Sequence, residues 1–296
     1  MLLSFRRVAI PEIQAVVATR AVVHTGYRVH VIHNHGVVCD DDLFLPSIAR
    51  IGRISRPVLT IILAGRARIR LEGFERWLEA GDVVLLPVKA VVAMRQEGTP
   101  FRSIAIEWDT GTLGGSVTAP DVVRLDSIAF ARALLLADAL EACPDTVNAS
   151  ALLADIMALL RAQGAPFNPV AARALIEPVP HAVVRLGRAL DAVLSRLAHA
   201  PALVDLDSAL GLSLRQINRV VTQFNRRYGF NSLGWRDTRN RRRILVGATM
   251  MTAPGARTEL VARAMGYSSP TGFCHALDLA GLPSPGATAE RVERLR

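Results

Sequence analysis

The amino-acid sequence predicts a two-domain α+β protein. We expect an N-terminal β-barrel or jelly roll, middle helices, and an all-α C-terminal domain with two helix-turn-helix units. Three observations predict this fold class. Short runs of branched residues separated by turns fill residues 1–118, as in barrels and jelly rolls. Residues 119–180 contain Ala- and Leu-rich segments and then a Pro-rich linker. Residues 181–296 contain one helix–Gly–Ser–helix pattern twice, which is typical of capped helix pairs.

Length and composition agree with two soluble domains. The chain has 296 residues, of which 51% are hydrophobic, enough for two sizeable cores. No run of 18 apolar residues indicates a membrane span, and Arg6, Arg7, Glu12 and Arg20 interrupt the N-terminal apolar residues, so we expect no signal peptide. The three cysteines have no paired spacing; they are Cys39, Cys143 and Cys274. This pattern favours a reduced, cytoplasmic protein.

The N-terminal region contains six short segments that read as strands. They are residues 29–33, 58–63, 67–71, 82–86, 91–94 and 103–108. Residues 64–66 and 79–82 resemble turns. Between them, Arg66, Arg68 and Arg70 alternate with apolar residues, which predicts a half-buried strand of period two.

The middle region predicts two helices, at residues 127–141 and 149–162. Their apolar spacing fits packing on the chain's own barrel and equally a dimer seam, and the spacing alone does not choose. Residues 111–116 read as a loop and residues 164–180 as a linker. An amphipathic helix over residues 181–198 would open the C-terminal domain.

Each predicted helix-turn-helix unit has its own stop and start signals. In the first, Gly211 ends a short helix and Ser213 caps the next, whose inward residues would be Ile217, Val220, Val221 and Phe224. In the second, Gly266 ends one helix, Ser269 caps the next, and Pro270 occupies its first turn.

The stretch joining these units is strongly basic. Residues 211–258 contain ten arginines and one acid, Asp237. Their sum, +10 − 1 = +9, equals the formal net charge of the whole chain. Such a concentrated basic surface is typical of phosphate binding.

These residues resemble the DNA-binding domain of the AraC/XylS family of bacterial transcription regulators over about residues 183–285. In the first unit the family-like residues are Leu210, Gly211, Leu212, Ser213, Arg215, Ile217 and Arg219. In the connecting helix they are Trp235, Arg243, Ile244, Met250 and Met251. In the second unit they are Val261, Ala262, Gly266, Tyr267, Phe273, Ala276, Gly281 and Pro283. The resemblance implies two recognition helices in successive major grooves.

Three departures from the family pattern matter. The stretch from Ser213 to Phe224 is about three residues longer than usual, close to one helical turn. Gly247 replaces a usual Ala, and His275 stands where an arginine is usual, with Asp278 following. We therefore expect the first recognition helix to dominate sequence readout.

The N-terminal region resembles the cupin-type sensor domain that often precedes such a DNA-binding domain. The segment Gly81–Pro87 has the Gly-x5-Pro spacing of the second cupin motif. Val91 and Val92 occupy the neighbourhood of that motif's metal-binding His, so we expect the domain to fold without a transition metal.

Three histidines, His30, His33 and His35, lie on one predicted strand. Imidazole binds several transition metals well, and His33 and His35 would share one strand face. Only Asp40, or the acidic run of residues 40–42, offers a carboxylate nearby. We expect no metal and no cofactor, and interpret the histidines as lining an effector pocket or a polar strand face.

The sequence therefore predicts a sequence-specific, cytoplasmic transcription regulator that binds double-stranded promoter DNA and is not an enzyme. Candidate DNA-contacting residues are Ser213, Arg215, Gln216, Asn218, Arg219, Gln223, Arg226, Arg239, Arg242, Arg243, Ser268, Ser269, Thr271 and His275. RNA polymerase and a small-molecule effector are further candidate partners, and we expect a homodimer without membrane contact. The alternatives are a metal-dependent cupin enzyme with a basic helical domain, and a module that binds an acidic protein.

The connecting helix, residues 232–251, is expected to act as both spacer and phosphate contact. Its length of roughly 30 Å approaches the spacing of successive major grooves. We expect its apolar residues, namely Trp235, Ile244, Leu245 and Met251, to pack against both units. Two or three of its arginines, taken from Arg236, Arg239, Arg241, Arg242 and Arg243, should reach phosphate.

Overall fold

The computed structural model combines one antiparallel sheet with a set of C-terminal helices. It describes residues 2–23, 27–40, 56–71, 73–87, 93–108, 121–142, 181–227 and 234–294, together with residues 155, 158, 161 and 162. The α+β fold class predicted from the sequence is confirmed at this level. The loop at residues 111–116, the linker at 164–180 and most of the second middle helix lie outside the described residues, as do Asp41, Asp42, Val91 and Val92.

The strands are β1 Leu2–Ile10, β2 Ala15–Val23, β3 Tyr27–His35, β4 Cys39–Asp40, β5 Val58–Leu71, β6 Phe74–Glu79, β7 Asp82–Leu86, β8 Ala93–Trp108 and β9 Asp121–Arg124. They pair in the order β1-β2-β3-β8-β5-β7-β9, with β4 on β8 and β6 on β5. Every pairing between described strands is antiparallel. The sequence did not predict β1, β2, β4, β6 or β9.

One predicted turn is part of a strand. Residues 64–66 lie within β5, where the register with β8 shifts on both sides of Ala64. This is a β-bulge, which inserts extra residues and bends the strand. Gly65 adopts φ +73°, and a Cβ there would collide with the carbonyl oxygen of Glu97. The glycine that resembles a turn signal therefore allows a close approach inside a continuous strand.

The turn at residues 79–82 and the alternation in β5 are confirmed. Gly81 has φ +93°, and the Glu79 backbone N–H donates to Asp82 Oδ2 at 2.8 Å. Ala67 and Ile69 are fully buried, whereas Arg66 and Arg70 are exposed.

The helices are α1 Ser127–Ala142, α2 His181–Leu194, α3 Val204–Leu210, α4 Leu214–Arg227, α5 Trp235–Met250, α6 Thr258–Ala264, α7 Pro270–Leu279 and α8 Pro285–Glu293. Short 3₁₀ turns occur at Pro11–Ile13 and Leu197–His199. The sequence did not predict α8, although Ser284 caps it and Pro285 opens it.

Helix α1 covers one face of the sheet, as one of the two sequence alternatives expected. Ala133, Leu136, Ala137 and Leu140 belong to a buried cluster with apolar residues of β3, β5, β7 and β8. The middle segment reaches back to α1, because Arg132 Nη1 lies 3.5 Å from Asp155 Oδ2.

The other face of the sheet is divided between two cores. Toward β5 and β6 it buries an apolar cluster that includes Ile62, Ile69 and Phe101. Toward β1 and β2 it packs on the C-terminal helices. Val8, Ile10, Ile13 and Ala15 share a cluster with apolar residues of α5, α6, α7 and α8. The hairpin of β1 and β2, residues 2–23, thus completes the core of the helical region.

Candidate nucleic-acid interface

Helices α3 and α4 form the first pair, joined by residues 211–213. Gly211 adopts φ +65° and its backbone N–H donates to Asp207 O at 2.7 Å, which ends α3. From α2, Arg185 Nη2 donates to Leu210 O at 2.7 Å and so satisfies a terminal carbonyl. The predicted stop signal at Gly211 is confirmed.

A capping box begins α4. The Gln216 backbone N–H donates to Ser213 Oγ at 3.4 Å, and Gln216 Oε1 accepts from the Ser213 backbone N–H at 2.9 Å and from its hydroxyl at 2.8 Å. This reciprocal arrangement satisfies helix-end donors. Ser213 is the cap that the sequence predicted. Gln216, predicted as a DNA contact, is exposed, and its side-chain oxygen is held on Ser213 at the start of the helix.

The inner face of α4 matches the prediction. Ile217 and Val221 are fully buried, Phe224 is buried, and Val220 packs against the same cluster. This cluster also contains Trp235 of α5 and apolar residues of α2 and α3. Packing therefore fixes which side of α4 faces the solvent.

That outer side carries a stripe of long polar side chains. Arg215, Arg219, Gln223 and Arg226 are all exposed, and their spacing of three and four residues places them along one helix face. Within the part of the chain that the structure describes, none of the three arginines makes an ion pair or a side-chain hydrogen bond. We call these four residues the α4 stripe.

Asn218 is exposed beside the stripe, and Thr222 follows it by one turn. The Thr222 hydroxyl donates to Asn218 O at 2.8 Å. A Cβ at Gly234 would lie 3.0 Å from Asn218 Oδ1, so Asn218 is close to the start of α5.

Helices α6 and α7 form the second pair, joined by residues 265–269. The Tyr267 N–H donates to Ala262 O and the Gly266 N–H to Arg263 O, both at 2.9 Å, which is the Schellman arrangement. Gly266 has φ +72°, and a Cβ there would collide with Leu197 O. The Ser269 hydroxyl accepts from the Gly272 N–H at 3.1 Å and caps α7. The predicted stop and cap are confirmed.

The outer side of α7 has few cationic groups. The four residues predicted to contact DNA here are exposed: Ser268, Ser269, Thr271 and His275. The acidic residue Asp278 is exposed as well. The Ser269 hydroxyl is already the N-cap. The remaining polar groups at this helix start are small and uncharged or weakly basic.

Helix α5 connects the two pairs and uses its arginines in different ways. Arg243 is only 8% exposed. It donates from Nε to Met265 O and from Nη2 to Gly266 O, and its guanidinium lies 3.8 Å from the centre of the Tyr267 ring. Burial lowers the pKa of Arg243 and raises that of Tyr267.

The prediction that Arg243 contacts phosphate is therefore wrong, because its donors satisfy buried carbonyls inside the second pair. Arg239 is also engaged within the domain: Nη1 donates to Pro201 O at 3.0 Å, and Nε and Nη2 donate to Asn240 Oδ1. Arg241 Nε lies 3.9 Å from Asp237 Oδ1. Arg242 is half-buried, and Arg236 is exposed.

The two ends of α5 bury against different pairs. Trp235 belongs to the cluster of the first pair, whereas Met250 and Met251 belong to that of the second. Ile244 packs partly, but Leu245 is 42% exposed, contrary to expectation. The helix has 16 residues, about 24 Å in length; the predicted start at Ser232 lies outside the described residues.

Gly247 explains one departure from the family pattern. A Cβ there would lie 2.7 Å from Phe273 Cε2 and 3.1 Å from Met265 Cγ. Alanine does not fit this crossing of α5 and α7 without movement, because such contacts are closer than van der Waals distance.

The predicted histidine group is divided between the two faces of the sheet. His33 and His35 share one face, as expected, and line a cavity of about 270 Å³. His30 lies on the opposite face, where its Nε2 is 3.4 Å from Glu107 Oε1. Interpreting all three as one pocket is therefore wrong, since residues 30 and 33 point to opposite sides of an extended strand.

Glu107 is the centre of the polar cluster around His30. Arg28 Nε lies 3.5 Å from Glu107 Oε2. Burial alone would raise the pKa of Glu107, but the adjacent imidazole of His30, together with Arg28 and Arg56, lowers it to about 2. The carboxylate is thus a structural counter-ion for basic residues.

The described residues contain neither a candidate metal cluster nor a candidate membrane span. Across the described ranges, no group of three or more His, Cys, Asp and Glu side chains has a geometry that could hold a metal ion. None of the described helices is both long enough and apolar enough to cross a membrane.

Known proteins resemble this chain only distantly. No family model matches it, and no curated protein matches it. An apo variant of ToxT from Vibrio cholerae strain SCE256 has 12% identity and a TM-score of 0.36, covering 93% of this chain and 99% of its own. ToxT from Vibrio cholerae O395 has 9% identity and a TM-score of 0.35, covering 91% and 98%. A mutant of Bacillus subtilis oxalate decarboxylase OxdC has 11% identity and a TM-score of 0.26, covering 31% and 25%. Scores this low do not assign the chain to a family.

Proposed function

We propose that this chain is a sequence-specific DNA-binding transcription regulator of the AraC/XylS type. It would bind duplex promoter DNA through two helix-turn-helix units, α3–α4 and α6–α7. The observation that carries the proposal is the α4 stripe. Three exposed arginines and a glutamine follow one face of a helix whose opposite face is fully packed.

The chemistry of the stripe suits the major groove. An α-helix fits this groove, where arginine can donate two hydrogen bonds to guanine and glutamine can pair similarly with adenine. Arginines of the stripe that do not meet base edges would contact phosphates, which position the protein without reading sequence. Arg215 and Arg219, nearest the start of α4, are the base-reading candidates.

The charge around the stripe favours the same partner. Residues 211–258 contain one acid, Asp237, whose Oδ1 lies 3.9 Å from Arg241 Nε. A polyanion would therefore meet little repulsion from this stretch of the chain. Arg236 is exposed on α5 and would add a phosphate contact there, and Arg242 is a weaker candidate because it is half-buried.

The second unit would dock α7 with less charge. Ser268, Thr271 and His275 can donate to phosphate oxygens or base edges near the start of α7, where the helix dipole favours anions. Because α7 contains no arginine, its contribution to affinity should be smaller. The first unit would then read the base sequence, and the second would mainly position the protein on the DNA.

The test is selection of bound sites from random duplex DNA, followed by affinity measurements on the selected duplex. We expect one enriched sequence, and log affinity falling linearly with log salt concentration. Replacing Arg215 and Arg219 together by Ala should abolish the sequence preference. The matched control is Arg76→Ala, because Arg76 is an exposed arginine on strand β6.

Two results would contradict the proposal. One is salt-dependent binding without any sequence preference. The other is equal binding of duplex DNA and of an acidic polypeptide such as polyglutamate, since a module for an acidic protein partner would not distinguish them.

A further inference from the structure

Residues 196–201 form a turn that lies between the two helix pairs. Its central part, the 3₁₀ turn Leu197–His199, leads from α2 toward α3. Leu197 is 1% exposed and packs in the core of the second pair. At the other end, Pro201 O accepts a hydrogen bond from Arg239 Nη1 of α5 at 3.0 Å. We call residues 196–201 the junction turn, because it is held by α5 and by the second pair while it leads into the first.

The junction turn touches the turn between α6 and α7 at the backbone. A Cβ at Gly266 would collide with Leu197 O and would lie 2.9 Å from Ala200 N. Glycine permits this approach because it has no Cβ, and it also adopts the required φ of +72° without penalty. Helix α7 begins at Pro270, four residues after Gly266. The junction turn is therefore fixed near the part of the second pair that the proposed function places on DNA.

Two exposed arginines and an exposed histidine flank this contact. Arg196 and His199 belong to the junction turn, and Arg263 lies in the last turn of α6. Among the residues that the structure describes, none of these three side chains makes an ion pair or a side-chain hydrogen bond. The exposed residues between Arg196 and the end of the turn include the small Ala198 and Ala200. An extended polyanion can therefore come close to the backbone here.

Two further arginines add positive charge behind the contact. Arg239 donates to the junction turn, and Arg243 donates to Met265 O and Gly266 O on the opposite side. Their hydrogen bonds are used within the chain, but both guanidinium groups keep their charge. Four arginines thus surround the place where the two turns meet.

Acidic residues lie only at the ends of the two segments that meet. Residues 192–204 and 260–277 contain none. The acids that border these segments are Asp191, Asp205, Glu259 and Asp278. Asp278 lies about 12 Å along α7 from its start, Asp191 is half-buried and has a partner within the chain, and Asp205 Oδ2 accepts from the Ala202 N–H at 2.6 Å. Even if the three nearer acids are all counted, the four arginines leave a positive charge at the contact.

We propose that the junction turn and the end of α6 bind one phosphate of the DNA backbone, between the two stretches that α4 and α7 would contact. Arg196 and Arg263 would be the charged donors and His199 an additional donor. This inference rests on the proposed function. Charge-assisted hydrogen bonds of this kind are strong, and phosphate contacts fix the register of a protein on DNA without reading sequence. Because α7 contains no arginine, the second unit would be anchored by residues outside its own recognition helix.

The experiment measures DNA binding after single phosphates have been neutralised. Each phosphate between the two contacted stretches of the selected duplex is replaced in turn by an uncharged methylphosphonate, and fluorescence anisotropy gives the affinity. We expect one replacement to weaken binding by the parent about tenfold, as for the loss of hydrogen bonds to a charged group. Arg196→Gln/Arg263→Gln should bind the natural duplex about tenfold more weakly, and the same methylphosphonate should then have no further effect. Its salt slope should fall by about one unit, with the preferred base sequence unchanged.

Two variants serve as controls. Arg76→Gln/Arg161→Gln removes the same charge from exposed arginines on β6 and in the middle segment, and it should bind the duplex as the parent does. Arg196→Lys/Arg263→Lys keeps both charges and should retain most of the affinity. Circular dichroism checks that each variant is folded.

Three outcomes would overturn the inference: no methylphosphonate between the two stretches weakens binding by the parent, the folded Gln variant keeps the parent's affinity and salt slope, or that variant prefers a different base sequence. A selection that enriches no sequence would overturn the proposed function instead. The salt slopes of the parent and the Gln variant on a generic duplex would then still decide whether the junction turn binds phosphate.

Discussion

The two helix pairs have similar turns and caps, but the arginines associated with them point in opposite directions, toward the solvent in the first pair and into the core in the second. Each has a glycine with positive φ at a helix end and a serine cap on the following helix. In the first pair, Arg215, Arg219 and Arg226 point outward from α4. In the second, Arg243 reaches inward from α5 and binds the carbonyls between α6 and α7. Similar turns therefore do not imply similar roles in binding.

Arg243, the inward arginine, can be buried because its donors are satisfied. A buried charge is costly unless hydrogen bonds satisfy it, and Arg243 finds two carbonyl acceptors and the face of Tyr267. Those carbonyls belong to the end of α6, where a helix leaves acceptors without partners. Arg243 thus holds the second pair on α5, whereas the first pair leaves its arginines to the solvent.

Removing arginines from the α4 stripe should produce the largest effect. In Arg215→Ala/Arg219→Ala we expect a loss of about 1–3 kcal/mol of DNA-binding free energy for each side chain that reads a base. Thr271→Ala/His275→Ala, the matched change on α7, should cost clearly less. Fluorescence anisotropy with the selected duplex measures both. A larger loss in the α7 variant would reverse the assignment of the reading helix.

Removing the inward arginine should affect stability instead. Arg243→Met leaves the carbonyls of Met265 and Gly266 without their donor, and we expect the free energy of unfolding to fall by about 1.5–3 kcal/mol. Urea denaturation measures this change. Arg226→Met, at the exposed arginine of the α4 stripe that is expected to contact phosphate, should change stability by less than about 0.5 kcal/mol but reduce the salt slope of DNA binding by about one unit. Equal changes in unfolding free energy and in salt slope for the two variants would contradict the distinction between the inward and the outward arginine.

The α5–α7 crossing offers a test of packing in the second pair alone. Gly247→Ala places a methyl group against Phe273 and Met265, and we expect overpacking to cost about 1–3 kcal/mol. The control is Gly286→Ala in α8, where no atom lies within 4 Å of the added carbon; it should be neutral or stabilise the protein by about 0.4–1 kcal/mol. Thermal unfolding of both variants would show whether the crossing is as tight as the geometry indicates.

The serine caps should give the smallest and most similar effects. Ser213→Ala and Ser269→Ala each remove a helix cap, at a cost of about 1 kcal/mol. Ser268→Ala, at an exposed neighbour that does not cap, should change stability by less than about 0.5 kcal/mol. Equal losses at the two caps would show that the pairs share local stability and differ mainly in surface charge. A negligible loss at either cap would contradict its observed hydrogen bonds.

Local signals predicted much of this architecture. Gly211, Ser213, Gly266 and Ser269 occupy the ends that the sequence indicated, because their conformational and capping preferences act over a few residues. The inner face of α4 followed from apolar spacing alone. Gly65 misled the prediction because a glycine that permits close approach within a strand looks the same as one that forms a turn.

The direction in which each arginine of α5 points could not be predicted from local signals in the same way. Arg241, Arg242 and Arg243 are consecutive, so they point about 100° apart around α5, and one of them must face a neighbouring element. Which one does so depends on where the carbonyls at residues 265 and 266 lie. The packing of the β1–β2 hairpin on the helices could not be predicted from local signals either, because it joins residues that are far apart in sequence.

That shared packing has a consequence for folding. Residues 8–21 are synthesised long before residues 186–292, yet each set covers apolar surface of the other. During synthesis the hairpin must keep one apolar face exposed until the last helices leave the ribosome. Contacts of such high sequence separation slow folding and prolong the time in which exposed strands can aggregate. A fragment beginning at His181 would lack the hairpin permanently, so the helical region should be least soluble when expressed by itself.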